Sequence, residues 1–69
     1  MINTQLLDAK IKESGLKYRY LASELGLTEQ AFSLKRRGRS PFRKLEKEKL
    51  CELVNISSAD ALYIFDSSD

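Results

Sequence analysis

The chain contains no histidine, one cysteine, one proline and three glycines in its 69 residues. Each shortage closes off a class of chemistry. Without histidine, a structural zinc site would have to rely on carboxylates, which is not how such sites are built. One thiol, Cys51, forms no internal disulfide, and its neighbours Leu50, Leu53 and Val54 suit a buried apolar cysteine better than a nucleophile. No Gly-rich phosphate loop is present. An enzyme is therefore not expected, and neither is a metal or cofactor. No apolar run approaches the ~20 residues that cross a bilayer. The opening Met1-Ile2-Asn3-Thr4-Gln5 has no basic stretch followed by a hydrophobic one, so the sequence predicts no secretory signal and a cytoplasmic protein.

What is present is enough for one small domain. An apolar content of 42% supports a compact core, and a charged content of 32% is that of a folded, water-exposed surface. A core this small is marginal unless it packs well or the chain self-associates. The net charge of +2 conceals a sharper layout. Residues 1–34 are balanced, Lys35 to Lys49 sum to +6, and Glu52 to Asp69 carry four acids and no base. A polyanion would orient such a chain, drawing in the basic segment and turning the acidic end away.

Apolar spacing and punctuation predict an all-α fold, a compact bundle of about five short helices with no strand-like alternation. A first helix is expected over Thr4 to Ser14, with Asn3 or Thr4 as cap, Gly15 as stop and Leu6, Leu7, Ala9 and Ile11 as its apolar stripe. A second covers Tyr18 to Leu25 and ends at Gly26. Thr28 caps a third from Glu29 to about Arg37, ended by Gly38. Arg39-Ser40-Pro41 form a loop, and Phe42 and Leu45 are assigned to the core. A fourth helix runs from Arg43 to Val54, burying Leu45, Leu50, Leu53 and Val54. Ser57-x-x-Asp60 reads as a capping box for a last helix through Phe65. The domain thus spans 1–65, with a flexible tail over 66–69.

The informative stretch is Leu21-Ala22-Ser23-Glu24-Leu25-Gly26-Leu27-Thr28-Glu29-Gln30-Ala31-Phe32-Ser33. Ala22 is small where two helices cross closely, and Gly26 accepts the positive φ of a tight turn. Leu27 and Phe32 anchor the next helix and leave its other face free. Two short helices joined in this way form a helix-turn-helix. The stretch resembles that of the phage Cro and repressor (lambda-repressor-like) family, whose pattern runs Gln-x-x-Leu-Ala-x-x-Leu-Gly-Val-Ser-x-x-x-Ile-Ser, with a glycine five residues on that Gly38 supplies. Leu50-Cys51-Glu52-Leu53-Val54-Asn55-Ile56-Ser57 is similar to the family's fourth-helix exit, so the resemblance covers residues 4–65. The chain departs from the pattern at four places. Tyr18 replaces a phosphate-contacting glutamine, and Lys17 replaces a capping hydroxyl residue. Arg36 stands where an apolar residue is usual, and Leu34 where a polar DNA contact is.

At about 100° per residue, a helix that turns Phe32 inwards turns Gln30, Ser33, Leu34 and Arg37 outwards. The resemblance implies that this third helix enters the major groove of double-stranded DNA. Gln30 then suits adenine, Arg37 guanine or phosphate, Ser33 several bases and Leu34 a thymine methyl group; Thr28, at the helix start, joins this set. Lys17, Tyr18, Lys35, Arg36, Arg39 and Arg43 are the expected phosphate contacts. Glu29 is expected to pair with Arg36. Leu34 suits a protein surface equally well. The alternative reading is therefore an antirepressor that covers the DNA-reading face of a partner phage repressor with the same helix. Finally, Leu62-Tyr63-Ile64-Phe65 places four large apolar residues in succession, which one helix cannot hide from a single side. Two would dock and two stay exposed, and a homodimer through Tyr63 and Ile64 would cover the exposed pair and set two third helices on a palindrome.

Overall fold

Helix punctuation becomes five helices in a computed structural model that describes residues 2–65: α1 (Thr4–Ser14), α2 (Tyr18–Glu24), α3 (Glu29–Arg36), α4 (Lys44–Val54) and α5 (Ser58–Phe65). There is no strand among the described residues. The tail predicted for 66–69 lies outside them. Among the described residues no helix is long and apolar enough to cross a membrane.

The caps account for the boundaries. Asn3 accepts the Leu6 amide and starts α1, and Thr28 Oγ1 accepts the Ala31 amide at 3.0 Å and starts α3. Ser57 Oγ accepts the Asp60 amide, starting α5. The answering half of that capping box is missing, because the Asp60 carboxylate turns to Lys10 of α1 at 3.0 Å. At the end of α2, Gly26 lies at φ +72; its amide reaches the Ser23 carbonyl while the Leu27 amide reaches that of Ala22. These paired bonds, the Schellman arrangement, satisfy carbonyls that a helix end would otherwise leave bare. α3 ends in the same way, through the Gly38 amide to Lys35 and the Arg39 amide to Leu34.

The core is built from Leu7, Ile11, Leu21, Ala22, Phe32, Phe42, Leu50, Val54, Ile56 and Ile64, all buried. A line of rings crosses it. Tyr18 meets Phe32 at 6.1 Å, Phe32 meets Phe42 edge-on at 6.2 Å, and Phe42 meets Phe65 edge-on at 5.7 Å. Tilted and edge-on pairs at these spacings are the favourable ones. This line joins α2, α3, the segment between α3 and α4 that carries Phe42, and α5. The N-terminal segment closes the bundle through the Asn3 amide, which donates to the Ile64 carbonyl at 2.7 Å.

Four assignments made from sequence are corrected by the coordinates. Ala9 is exposed, since it lies about 160–200° around α1 from the buried pair Leu7 and Ile11. Leu45 is 77% exposed, because it sits about 140° from Leu50 and 180° from Val54 on α4. Cys51 is half-buried rather than buried; burial still pushes its thiol pKa up, which keeps it protonated and unreactive. Ile64 is completely buried, so it offers nothing to a second copy. The exposed pair at that end is Leu62 and Tyr63, at 75% and 74%.

Candidate nucleic-acid interface

α3 is eight residues long and is pinned on every side but one. Phe32, 1% exposed, anchors it to the core. Lys35 and Arg36, next along, leave on opposite flanks. Lys35 Nζ donates to Glu46 Oε1 of α4 at 2.6 Å, both side chains only 13% exposed. Arg36 donates to Asp8 Oδ1 of α1 at 3.0 Å, and its guanidinium carbon lies 4.1 Å from the centre of the Tyr18 ring. Lys35 and Arg36, expected from sequence to contact phosphate, are thus tied to carboxylates of α4 and α1. Both pairs span residues far apart in sequence, so no local pattern announces them. Glu29 pairs with Arg19 of α2 at 3.2 Å and not with Arg36. Both partners of that bridge are well exposed, and such bridges contribute little.

The remaining side of α3 is uncovered. Gln30, Leu34 and Arg37 are exposed along it, Ser33 is half-buried beside them, and Thr28 is exposed at its start. Gln30, Ser33, Leu34 and Arg37 follow the spacing of one helical stripe, so four of the residues singled out from sequence come together, while Thr28 caps the start of the helix. Lys17, Arg39 and Arg43 are exposed as well. Among the described residues, none of Lys17, Arg37, Arg39 and Arg43 meets a carboxylate at ion-pair distance. Tyr18, 43% exposed, presents its edge to water while its face is covered by Arg36. One further cation was not singled out from sequence: Lys12 lines a shallow depression with Asp8, Lys17 and Tyr18. Its signal is the helical spacing from Asp8, which the sequence does contain.

Glu46 serves two elements at once. Its Oε1 accepts the Arg43 amide at 2.9 Å, starting α4, as well as the Lys35 ammonium. Burial works against the charged carboxylate, but the Arg43 amide and Lys35 together outweigh it and hold its pKa below the ordinary value. A carboxyl with a lowered folded-state pKa adds stability above its unfolded pKa and loses it as pH falls through the folded one. Glu46→Gln should therefore destabilise the domain by about 1 kcal/mol near neutral pH. Its urea midpoint should converge on that of the wild type as pH is lowered past about 4. A gap unchanged by acid would show that the Glu46 charge does not hold α3 to α4.

Among the described residues, no three His, Cys, Asp or Glu side chains gather closely enough to hold a metal ion. Comparisons with known protein families, with curated proteins and with solved structures find no match to this chain.

Proposed function

We propose that this chain is a small transcriptional regulator of a phage or prophage switch, of the Cro/repressor helix-turn-helix type, which binds operator DNA in a bacterial cytoplasm. On this reading α2 and α3 are the helix-turn-helix, and α3 enters the major groove. The observation that carries it is the uncovered stripe Gln30–Ser33–Leu34–Arg37, on a helix whose other sides are fixed by Phe32, Lys35 and Arg36. A rigid helix with one polar and cationic face turned to water has the form that reads base edges. Lys17, Arg39 and Arg43 flank it as phosphate contacts. Two chains per duplex, joined through Leu62 and Tyr63, are the stoichiometry that a palindromic operator calls for.

Leu34 supports a second reading. It is 43% exposed in the middle of the stripe, where an apolar side chain serves a protein partner as well as a thymine methyl group. An antirepressor would use it to cover the DNA-reading face of a phage repressor. One experiment separates the two. Duplexes enriched from a randomised pool should bind with an affinity that falls steeply with salt, with a log–log slope of about −3 to −4 per chain if Lys17, Arg37, Arg39 and Arg43 each neutralise a phosphate. Arg37→Ala should cost about 1–3 kcal/mol on the enriched duplex. Leu34→Lys should preserve or raise DNA affinity. No enrichment over bulk duplex, together with a repressor complex that Leu34→Lys abolishes, would replace the operator reading with the antirepressor one.

A further inference from the structure

The Tyr18 ring is held from two sides. Phe32 lies 6.1 Å from it at a tilt of 47°, and the Arg36 guanidinium carbon lies 4.1 Å from its centre. Arg36 in turn is fixed by Asp8 at 3.0 Å, and its side chain is only 13% exposed. Its Nε is buried with no hydrogen-bond partner among the described residues. Arg36 thus gives one donor to a carboxylate and sets its guanidinium carbon over a ring. An arginine whose task was to reach a phosphate would keep its donors in water, where they could pair bidentately. Tyr18, Lys12 and Lys17 line one depression, with Asp8 in its wall. A phosphate approaching it meets a surface lined by Lys12, Lys17 and Tyr18.

We infer that Arg36 is a positioning residue: locked by Asp8, it clamps the Tyr18 ring so that the phenol hydroxyl, beside Lys12 and Lys17, is fixed to donate to a backbone phosphate of the bound duplex. This rests on the operator reading above. It goes beyond that reading by moving Arg36 from the nucleic-acid surface to the support of that surface, and by adding Lys12 to the phosphate contacts.

A double-mutant cycle on the enriched duplex tests it. Tyr18→Phe keeps the ring and its stack but deletes the hydroxyl, so affinity should fall about tenfold, the worth of a hydrogen bond to a charged group. Arg36→Met keeps the packing volume and should give a loss of similar size, with the salt slope unchanged because no phosphate cation is removed. The double variant should be no weaker than Tyr18→Phe alone. Arg36→Lys retains the charge but not the guanidinium group that sits over the ring, so it should lose affinity as Arg36→Met does. It also provides the readout if Arg36→Met fails to give a normal helical melt. Lys12→Gln should lower the slope by about 0.9. The inference is overturned if the two losses multiply to about a hundredfold, if Arg36→Met lowers the slope by about 0.9, if Arg36→Lys binds like wild type, or if Tyr18→Phe binds unchanged. Wild-type protein that prefers no duplex overturns the operator reading itself, and this one with it, before any variant is made.

Discussion

Phe32→Asp is expected to leave the chain unfolded at room temperature, with far-ultraviolet circular dichroism showing no cooperative helical melt. Phe32 is 1% exposed and sits between Tyr18 at 6.1 Å and Phe42 at 6.2 Å, so both neighbours lose a ring partner when it is removed. Truncating a buried Phe costs about 3–5 kcal/mol. A carboxylate in its place must either be buried charged or take up a proton, and both add to that cost. A domain of 69 residues has only about 3–10 kcal/mol of stability in total. Phe32→Leu should stay folded, with a loss of about 1–2 kcal/mol, because most of the apolar volume remains. A normal melt for Phe32→Asp would mean that Phe32 is not the anchor of α3, and the uncovered stripe opposite it would lose its reason to face outwards.

The contrast between Phe32 and Ile64 marks what the sequence makes legible. Helix positions and ends are local matters. Asn3, Thr28 and Ser57 cap, and Gly15, Gly26, Gly38 and Asn55 take positive φ past helix ends. All but Asn55 are placed from their own side chains and immediate neighbours, which is why the sequence predicts five helices with ends within a residue or so of those observed. The outward stripe of α3 followed in the same way, from the period of the helix and the one strongly apolar anchor within it. Leu45, Ala9 and Ile64 depart from what the sequence predicts for a different reason. Apolar character alone says that a residue can be buried, whereas the direction of the helix's buried side is settled by what packs against it. On α4 that side is set by Leu50 and Val54, and on α5 Ile64 is the fully buried residue. The pairs Lys35–Glu46 and Arg36–Asp8 join residues 11 and 28 apart. A run of basic residues therefore looks like a single cationic surface in the sequence, while in the fold two members of it hold α3 in place.

The turn that sets α2 against α3, and the one that ends α3, respond differently to the same substitution. Gly26 lies at φ +72, and a Cβ there would meet nothing within 4 Å, so a replacement suffers from backbone conformation alone. Gly26→Ala should cost about 1–2 kcal/mol. Gly26→Val, β-branched and still less tolerant of that region, should cost about 3 kcal/mol or more and leave the domain largely unfolded at physiological temperature. Gly38, at φ +81, carries a second penalty because a Cβ would stand 2.8 Å from the Ile2 Cγ2 methyl, closer than carbon atoms approach without displacement. Gly38→Ala should therefore destabilise more than Gly26→Ala. The excess, but not the backbone part, should vanish when Ile2 is shortened to Ala in the same chain. Urea midpoints of the two single variants, the Ile2→Ala variant and the Gly38→Ala/Ile2→Ala pair decide it. Equal losses at both glycines, or no recovery in the pair, would show that the N-terminal segment does not lie against the end of α3. The first segment is closed there through Ile2 and the Asn3–Ile64 hydrogen bond. The Gly38→Ala/Ile2→Ala pair should thus lose less stability than the sum of its two single variants.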